Sequence, residues 1–194
     1  MILNWVIFKD ILYIRYKMYS EDDVMQFVGG WSYTQNEMRD FLMHITQRES
    51  YNVLEFGSGN STRILYDILE RYCQTITYDT YETDETYRVV HKNVNTILYD
   101  SNQIDQLIIP NKIYDIILID GPNDVLRSKW YSKIRNHVAY HTIMLIDDYN
   151  HYTEFEAELN KNYSYTVLSL SDEPFRPYGE HSWRIITHIT LKDI

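Results

Sequence analysis

Along the 194-residue chain, short apolar runs alternate with stretches of helical period, and that alternation predicts the order of elements. Residues 2–17 mix apolar and polar positions and read as a helix that ends in the acidic "SEDD" and then "VGGW", so residues 1–33 are expected to form an N-terminal arm or lid. "TQNEMRDFLMHI" follows, with Thr34 and Glu37 in capping-box spacing and Met38, Phe41, Leu42 and Ile45 on one helical face. The pattern then predicts strand 52–56, helix 61–72, strand 75–82, helix 84–92, strand 95–99, strand 115–120, helix 125–138 and strand 142–147. After "ILYDSN" the chain runs into a loop with Pro110 instead of a long helix. "TEFEAELN", with Thr153 and Glu156 again in capping-box spacing, predicts a helix before the last strands, "SYTVLSL" and "WRIITHITL". Strands separated by helices imply an α/β fold: a doubly wound, mostly parallel sheet with right-handed crossovers. The last two of its seven strands lack an intervening long helix and pair as an antiparallel hairpin. No repeat, low-complexity tract or linker interrupts the pattern, so a single domain over 1–194 is expected.

Composition narrows the partners. With 44% hydrophobic and 24% charged residues the chain lies in the globular range. Eighteen basic against 28 acidic residues leave a formal charge of -10, which repels a phosphate backbone and argues against nucleic acid as a partner. The lone Cys73 allows no internal disulfide and fits a reducing compartment, so the cytoplasm is expected. "MILNWVIF" is too short to span a membrane and lacks the marks of a signal peptide. Two alanines against 19 tyrosines point to a coding bias, and little weight falls on any single Tyr.

The stretch with most chemistry is "NVLEFGSGNST", an apolar strand, a carboxylate and two glycines. In doubly wound sheets a ligand lies beyond the carboxyl ends of the strands, where the strand order reverses, and this turn falls there. A dinucleotide fingerprint reads G-x-G-x-x-G, but Gly57 and Gly59 are followed by Thr62 where the third glycine belongs. Glu55, two residues before the first glycine, disfavours a pyrophosphate and tolerates or favours a cationic sulfonium. An NAD-dependent oxidoreductase is the minor reading.

"VLEFGSGNST" resembles motif I of class I S-adenosylmethionine-dependent methyltransferases, departing from its commonest form at Ser61. The likeness covers about residues 31–191, including the terminal hairpin, and implies a Rossmann-like seven-stranded fold. It implies that Glu55, Gly57, Ser58, Gly59, Asn60, Ser61 and Thr62 receive the cofactor. An acid near the end of the second strand, Asp79 or Glu82 with Glu82 preferred, would accept from the ribose hydroxyls. Asp100 and Ser101 are the matching candidates at the adenine end.

"YDIILIDGPND" and "TIMLIDDYN" both run from an apolar strand into carboxylates. With the strand order of this fold, Asp120, Asp147 and Asp148 converge beside the glycine turn, facing the methyl donor. Methyl transfer to oxygen requires a base or a metal to remove the hydroxyl proton, and clustered carboxylates serve either way. One version resembles catechol-type O-methyltransferases, with Asp120, Asp147 and Asp148 around Mg²⁺. The other resembles small methyltransferases of polysaccharides and other glycans, in which "GSG" with "ST", "IDGP" followed by an Arg, and a strand ending "IDD" occur together, as Gly57–Gly59, Ser61–Thr62, Ile119–Pro122, Arg127 and Ile146–Asp148 do here. In that version Asp120 or Asp148 is the base and Arg127 orients the acceptor or its acidic neighbours. His151 and His181 are further proton acceptors by residue type, and Trp31, Tyr33, Tyr149 and Trp183 could stack on a sugar, with core burial the expectation for Trp183.

The expected function is therefore S-adenosylmethionine-dependent methyl transfer to a hydroxyl of a sugar or glycan. A Mg²⁺-dependent enzyme for a small phenolic acceptor and a non-catalytic binding module of the same fold are the alternatives. The oligomeric state is not legible.

Overall fold

A computed structural model describes residues 19–27, 33–122, 125–150, 153–171 and 182–193. The helix expected over 2–17, Trp31, His151, His181 and most of "PYGEHSWR" lie outside them.

The strands are β1 (Ser50–Phe56), β2 (Thr75–Glu82), β3 (Val94–Leu98), β4 (Ile116–Ile119), β5 (Ile143–Asp147), β6 (Tyr163–Ser171) and β7 (Trp183–Leu191). They form one sheet in the order β3-β2-β1-β4-β5-β7-β6. The first five are parallel, while β7 runs antiparallel to both β5 and β6. This is the doubly wound sheet with a terminal hairpin that the pattern of apolar runs predicts. The order reverses between β1 and β4, so a crevice opens beyond their carboxyl ends.

The helices are α1 (Glu21–Val24), α2 (Gln35–His44), α3 (Asn60–Glu70), α4 (Lys129–Lys133) and α5 (Thr153–Asn162). At the start of α2, Thr34 Oγ1 accepts from the Glu37 N–H at 3.2 Å and Glu37 Oε2 accepts from the Thr34 N–H at 3.1 Å, completing the capping box. Met38, Phe41, Leu42 and Ile45 are all buried. No described helix is long and apolar enough to cross a membrane.

Two expected helices differ. Over 84–92 only the 3-10 turn Glu85–Tyr87 forms: the Asp84 carboxylate caps it through the Thr86 N–H at 2.8 Å, and the backbone leaves the helical region at Arg88, with ψ 122°. Over 125–138 the chain forms a 3-10 turn, α4 and a second 3-10 turn, which together bury Trp130, Tyr131 and Ile134 against the sheet.

Alternation along the strands separates two cores. One face, with Tyr51, Val53, Ile116, Leu118, Leu145 and Ile185, packs beneath α2 and α3. The other, with Leu54, Phe56, Ile117, Ile119, Met144 and Ile146, packs on Trp130, Tyr131, Phe155 and Leu159. Continuing the first face one step to the carboxyl edge brings Glu55, Asp120 and Asp147 into a row. Trp183 joins this row because it pairs with Asp147 across β5 and β7.

Candidate active site

At the start of the glycine turn, Gly57 meets Gly121 backbone to backbone, with no room for a side chain at either. Gly57 has φ +97°, a left-handed conformation that favours glycine. A Cβ on Gly57 would lie 3.1 Å from the Gly121 nitrogen, and one on Gly121 would lie 3.1 Å from Gly57 Cα. The Gly57 N–H donates to the Tyr81 carbonyl at 2.8 Å, and the Asp120 and Gly121 N–H groups both donate to the Phe56 carbonyl, at 2.8 and 2.7 Å. The Gly121 carbonyl accepts from Trp130 Nε1 at 2.9 Å, and the Trp130 ring stacks on Phe56 with centroids 3.7 Å apart. Close packing thus places Asp120 beside the start of the turn.

Thr62, at the missing third glycine, makes bonds a glycine could not. Its Oγ1 accepts from the Gly59 N–H at 3.0 Å and donates to Glu55 Oε2 at 2.7 Å, and Tyr78 donates to the same oxygen at 2.9 Å. Glu55 is 1% exposed. Burial pushes its carboxyl up to about 8, only partly offset by the bonds from Thr62 and Tyr78. Through these bonds the Glu55 carboxyl connects β1 to the first turn of α3.

At the end of β2, Glu82 Oε2 accepts from the Ser58 N–H at 2.6 Å, while Oε1 accepts from the Thr83 and Asp84 N–H groups at 2.7 and 2.9 Å. Each carboxylate oxygen has two lone pairs, so Oε2 retains capacity for a hydroxyl. Asp79 lies three residues earlier in the strand. It bonds Lys112 Nζ at 2.7 Å, Asn95 Nδ2 at 2.9 Å and the Tyr114 hydroxyl at 2.9 Å. Despite burial, the bonds from Lys112, Asn95 and Tyr114 hold its carboxyl below the usual range. Of the two ribose candidates, Glu82 stands at the turn and Asp79 braces β2 within the sheet. Asp100 and Ser101 follow β3 at the same edge, where Asp100 caps a 3-10 turn through the Asn102 N–H at 2.9 Å. Ser61 is buried in the first turn of α3, and Asn60 is exposed.

Arg127 is 2% exposed and ties the loops after β4 and β5 together. It donates to the Pro122 carbonyl at 3.2 Å and the Asp147 carbonyl at 3.0 Å, lies 3.5 Å from Asp148 Oδ2 and 3.9 Å from Asp120 Oδ1, and stands over the Phe155 ring. Asp148 has φ +52°, a left-handed value that Asp adopts more readily than most residues. Asp120 and Asp148 keep side-chain exposures of 26% and 19%, so a ligand can reach both.

Asp147 lies deeper, on the α2 side of the sheet. It is buried, one of its oxygens accepts from the Asp148 N–H at 2.8 Å, and its charge is felt by Glu37 of α2 and Tyr33. Burial pushes both carboxyls well up; Asp120 and Asp148 add to this for both, and Glu37 adds to it for Asp147. Tyr33, just ahead of α2, is buried within the field of Asp120, Glu55, Glu37 and Asp147. Glu37 carries a local capping signal only; no sequence feature shows that α2 delivers it to the end of β5.

The Mg²⁺ site expected from Asp120, Asp147 and Asp148 does not fit this arrangement. Asp147 turns toward Glu37 while the guanidinium of Arg127 stands between Asp120 and Asp148, and among the described residues no group of three His, Cys, Asp or Glu side chains is placed to hold a metal ion. Of the rings named for stacking on a sugar, Tyr33 and Tyr149 are placed otherwise, while Trp183 is buried as expected. Tyr33, Tyr149 and Trp183 are buried, Tyr149 beneath the Arg184 guanidinium at 4.5 Å.

No protein-family model matches the chain, and no curated protein matches it. Solved structures do. A ribosomal protein L11 methylase from Lactobacillus delbrueckii subsp. bulgaricus is 12% identical, with 79% of this chain and 77% of that one covered at a TM-score of 0.53. A TehB-like SAM-dependent methyltransferase from Corynebacterium glutamicum is 13% identical, with 78% and 86% covered at 0.52. The fibrillarin pre-rRNA processing protein of Methanococcus jannaschii is 14% identical, with 73% and 67% covered at 0.50. These likenesses identify the fold: the chain has the seven-stranded α/β architecture found in S-adenosylmethionine-dependent methyltransferases.

Proposed function

We propose that the protein is an S-adenosylmethionine-dependent O-methyltransferase whose acceptor is a hydroxyl of a sugar or glycan. The observation that carries this reading is the junction at the switch point: the Glu82 carboxylate holds the Ser58 N–H of the glycine turn, and the close approach of Gly57 to Gly121 sets the partly exposed Asp120 beside it. The fold shared with methyltransferases supports the donor. The combination of "GSG", "IDGP" with Arg127, and "IDD" supports the glycan acceptor.

In this reading Glu82 accepts from the ribose diol and the turn packs against the nucleoside. The acceptor oxygen attacks the methyl carbon as the carbon–sulfur bond breaks, leaving a neutral thioether, and Asp120 takes the acceptor's proton. Arg127 keeps the Asp120 and Asp148 loops in register and offsets the charge of the cluster. A Mg²⁺-dependent mechanism draws no support from the placement of Arg127 and Asp147.

Thermal shifts with S-adenosylhomocysteine and NAD test the donor. A ligand at 100 times its dissociation constant adds about 2.7 kcal/mol, so S-adenosylhomocysteine is expected to raise Tm and NAD to leave it unchanged. Stabilisation by NAD alone would sink the reading. Asp120→Asn is expected to retain S-adenosylhomocysteine binding while lowering methyl transfer about 100-fold or more, scored by mass increase across sugar and glycan acceptors. Unchanged transfer removes Asp120 from the mechanism.

A further inference from the structure

A groove of about 470 Å³ runs between α5 and the segment formed by the 3-10 turn Val125–Ser128 and α4. Ser128, Lys129 and Ser132 line it from one side and Glu154, Ala157 and Glu158 from the other, and Leu126, partly buried against the core, adds apolar surface. Both elements turn their apolar faces to the sheet, burying Trp130 and Tyr131 from α4 and Phe155 and Leu159 from α5. On α5 the groove residues recur at i, i+3 and i+4 and therefore share one outward face. Ala157 is one of only two alanines in the chain, and a longer side chain there would fill the space. The volume falls within the ~300–1,000 Å³ range of small-molecule sites.

Position ties the groove to the exposed acids. Leu126 and Ser128 flank Arg127 in the chain, Glu154 precedes Phe155, and the Arg127 guanidinium stands 5.7 Å over the Phe155 ring. The same guanidinium reaches Asp120 and Asp148. The groove follows β4 and β5, whereas Glu82 and the glycine turn lie on the β1–β2 side of Asp120. A molecule that presents one hydroxyl to Asp120 can thus continue into the groove without meeting the donor.

We propose that the groove between α4 and α5 is a second acceptor site, holding neutral sugar units of a glycan beyond the unit that is methylated. The inference rests on the methyltransferase reading and adds to it a site outside the reacting edge. The lining suits a ligand rich in hydroxyls: the serines both donate and accept, Lys129 donates, and Glu154 and Glu158 accept. Leu126 and Ala157 offer apolar surface to the C–H face of a sugar ring. Charge selects against an anion. Lys129 Nζ bonds Asp105 at 3.0 Å and Glu158 lies 3.3 Å from Lys161 Nζ, so each is offset from beyond the lining. Two carboxylates against one ammonium leave the groove negative, in a chain of formal charge -10, which disfavours the diphosphate of a sugar nucleotide.

The test is calorimetric titration of the full chain, saturated with S-adenosylhomocysteine, with glucose, xylose and mannose, with cellotetraose, xylotetraose and mannotetraose, and with UDP-glucose. At least one tetrasaccharide is expected to bind ~10-fold or more tightly than its own monosaccharide, a difference of about 1.4 kcal/mol, and more tightly than UDP-glucose. Ala157→Trp, at an exposed position, is expected to cancel that gain while Tm and S-adenosylhomocysteine affinity stay unchanged. Ser132→Ala, which removes one hydroxyl, is expected to reduce the gain about three-fold, and it decides the matter if Ala157→Trp fails to fold. Tetrasaccharides that bind no better than monosaccharides overturn the site, as does a gain that survives both substitutions. Tightest binding by UDP-glucose equally overturns it. If S-adenosylhomocysteine fails to bind, the methyltransferase reading fails on its own, and the sugar series repeated without it still decides whether the groove holds a glycan.

Discussion

Thr62 shows how one residue changes the meaning of a motif. As a departure from G-x-G-x-x-G it argues against a dinucleotide; in the structure its hydroxyl joins the Gly59 N–H of the turn to the Glu55 carboxyl of β1. Thr62→Val keeps the shape and removes both bonds, leaving Glu55 with Tyr78 as its side-chain partner. Loss of a partner from a buried polar group costs about 1–3 kcal/mol, so the unfolding free energy from urea titration is expected to fall by that amount. Because the two changes share the Thr62–Glu55 bond, the cost should shrink, down to that of the Gly59 bond, when Thr62→Val is made on a Glu55→Ala background. Additive costs would show that the bond contributes little.

At the scale of elements, the glycine turn and the loop after β4 behave as one unit, since Gly57 and Gly121 meet backbone to backbone. Gly57→Ala meets that contact and a left-handed φ together, and is expected to lower stability by about 1–3 kcal/mol and to weaken S-adenosylhomocysteine binding. Gly59→Ala, with nothing within 4 Å of the added Cβ, is expected to leave Tm nearly unchanged. Equal losses from the two changes would contradict the packing account. The strands were legible because central parallel strands are buried on both faces and read as continuous apolar runs, as "IILI" of β4 does. The stretch 84–92 was misread because its composition tolerates a helix, yet Val90 is 81% exposed and the Thr96 hydroxyl takes the Val89 carbonyl, so the chain follows the sheet edge. Asp120 and Glu82 were legible because their places follow from strand ends alone. Arg127 was legible as a neighbour of these acids, though not as a buried residue; Glu37 was not, because its place depends on which face of the sheet α2 covers, a tertiary fact that no local spacing encodes.

At the scale of the whole molecule, the sheet gathers Glu37, Glu55 and Asp147 on one edge of one core, and burial raises all three carboxyls. Their folded-state values lie above those of the unfolded chain, so the native state binds more protons, and the stability this adds is complete below about pH 4.3 and is lost as pH rises through the folded values. For Glu55 that window extends to about 8. Asp23 and Asp79 act oppositely: each is held below its usual range, Asp23 by Ser20 and Arg71 against the effect of burial, so their contribution is lost only as pH falls below about 4. The two sets together place maximal stability on the acid side of neutrality, and urea midpoints are expected to fall steadily between pH 5.5 and 8.5. Glu55→Gln isolates one member, because a Gln carbonyl still accepts from Thr62 and Tyr78 but cannot ionise. That variant should show a shallower decline and a higher midpoint than the parent at pH 8.5. A parent midpoint that rises with pH would mean that the acids at this edge are ionised at little cost, and the connector role of Glu55 would fall with it.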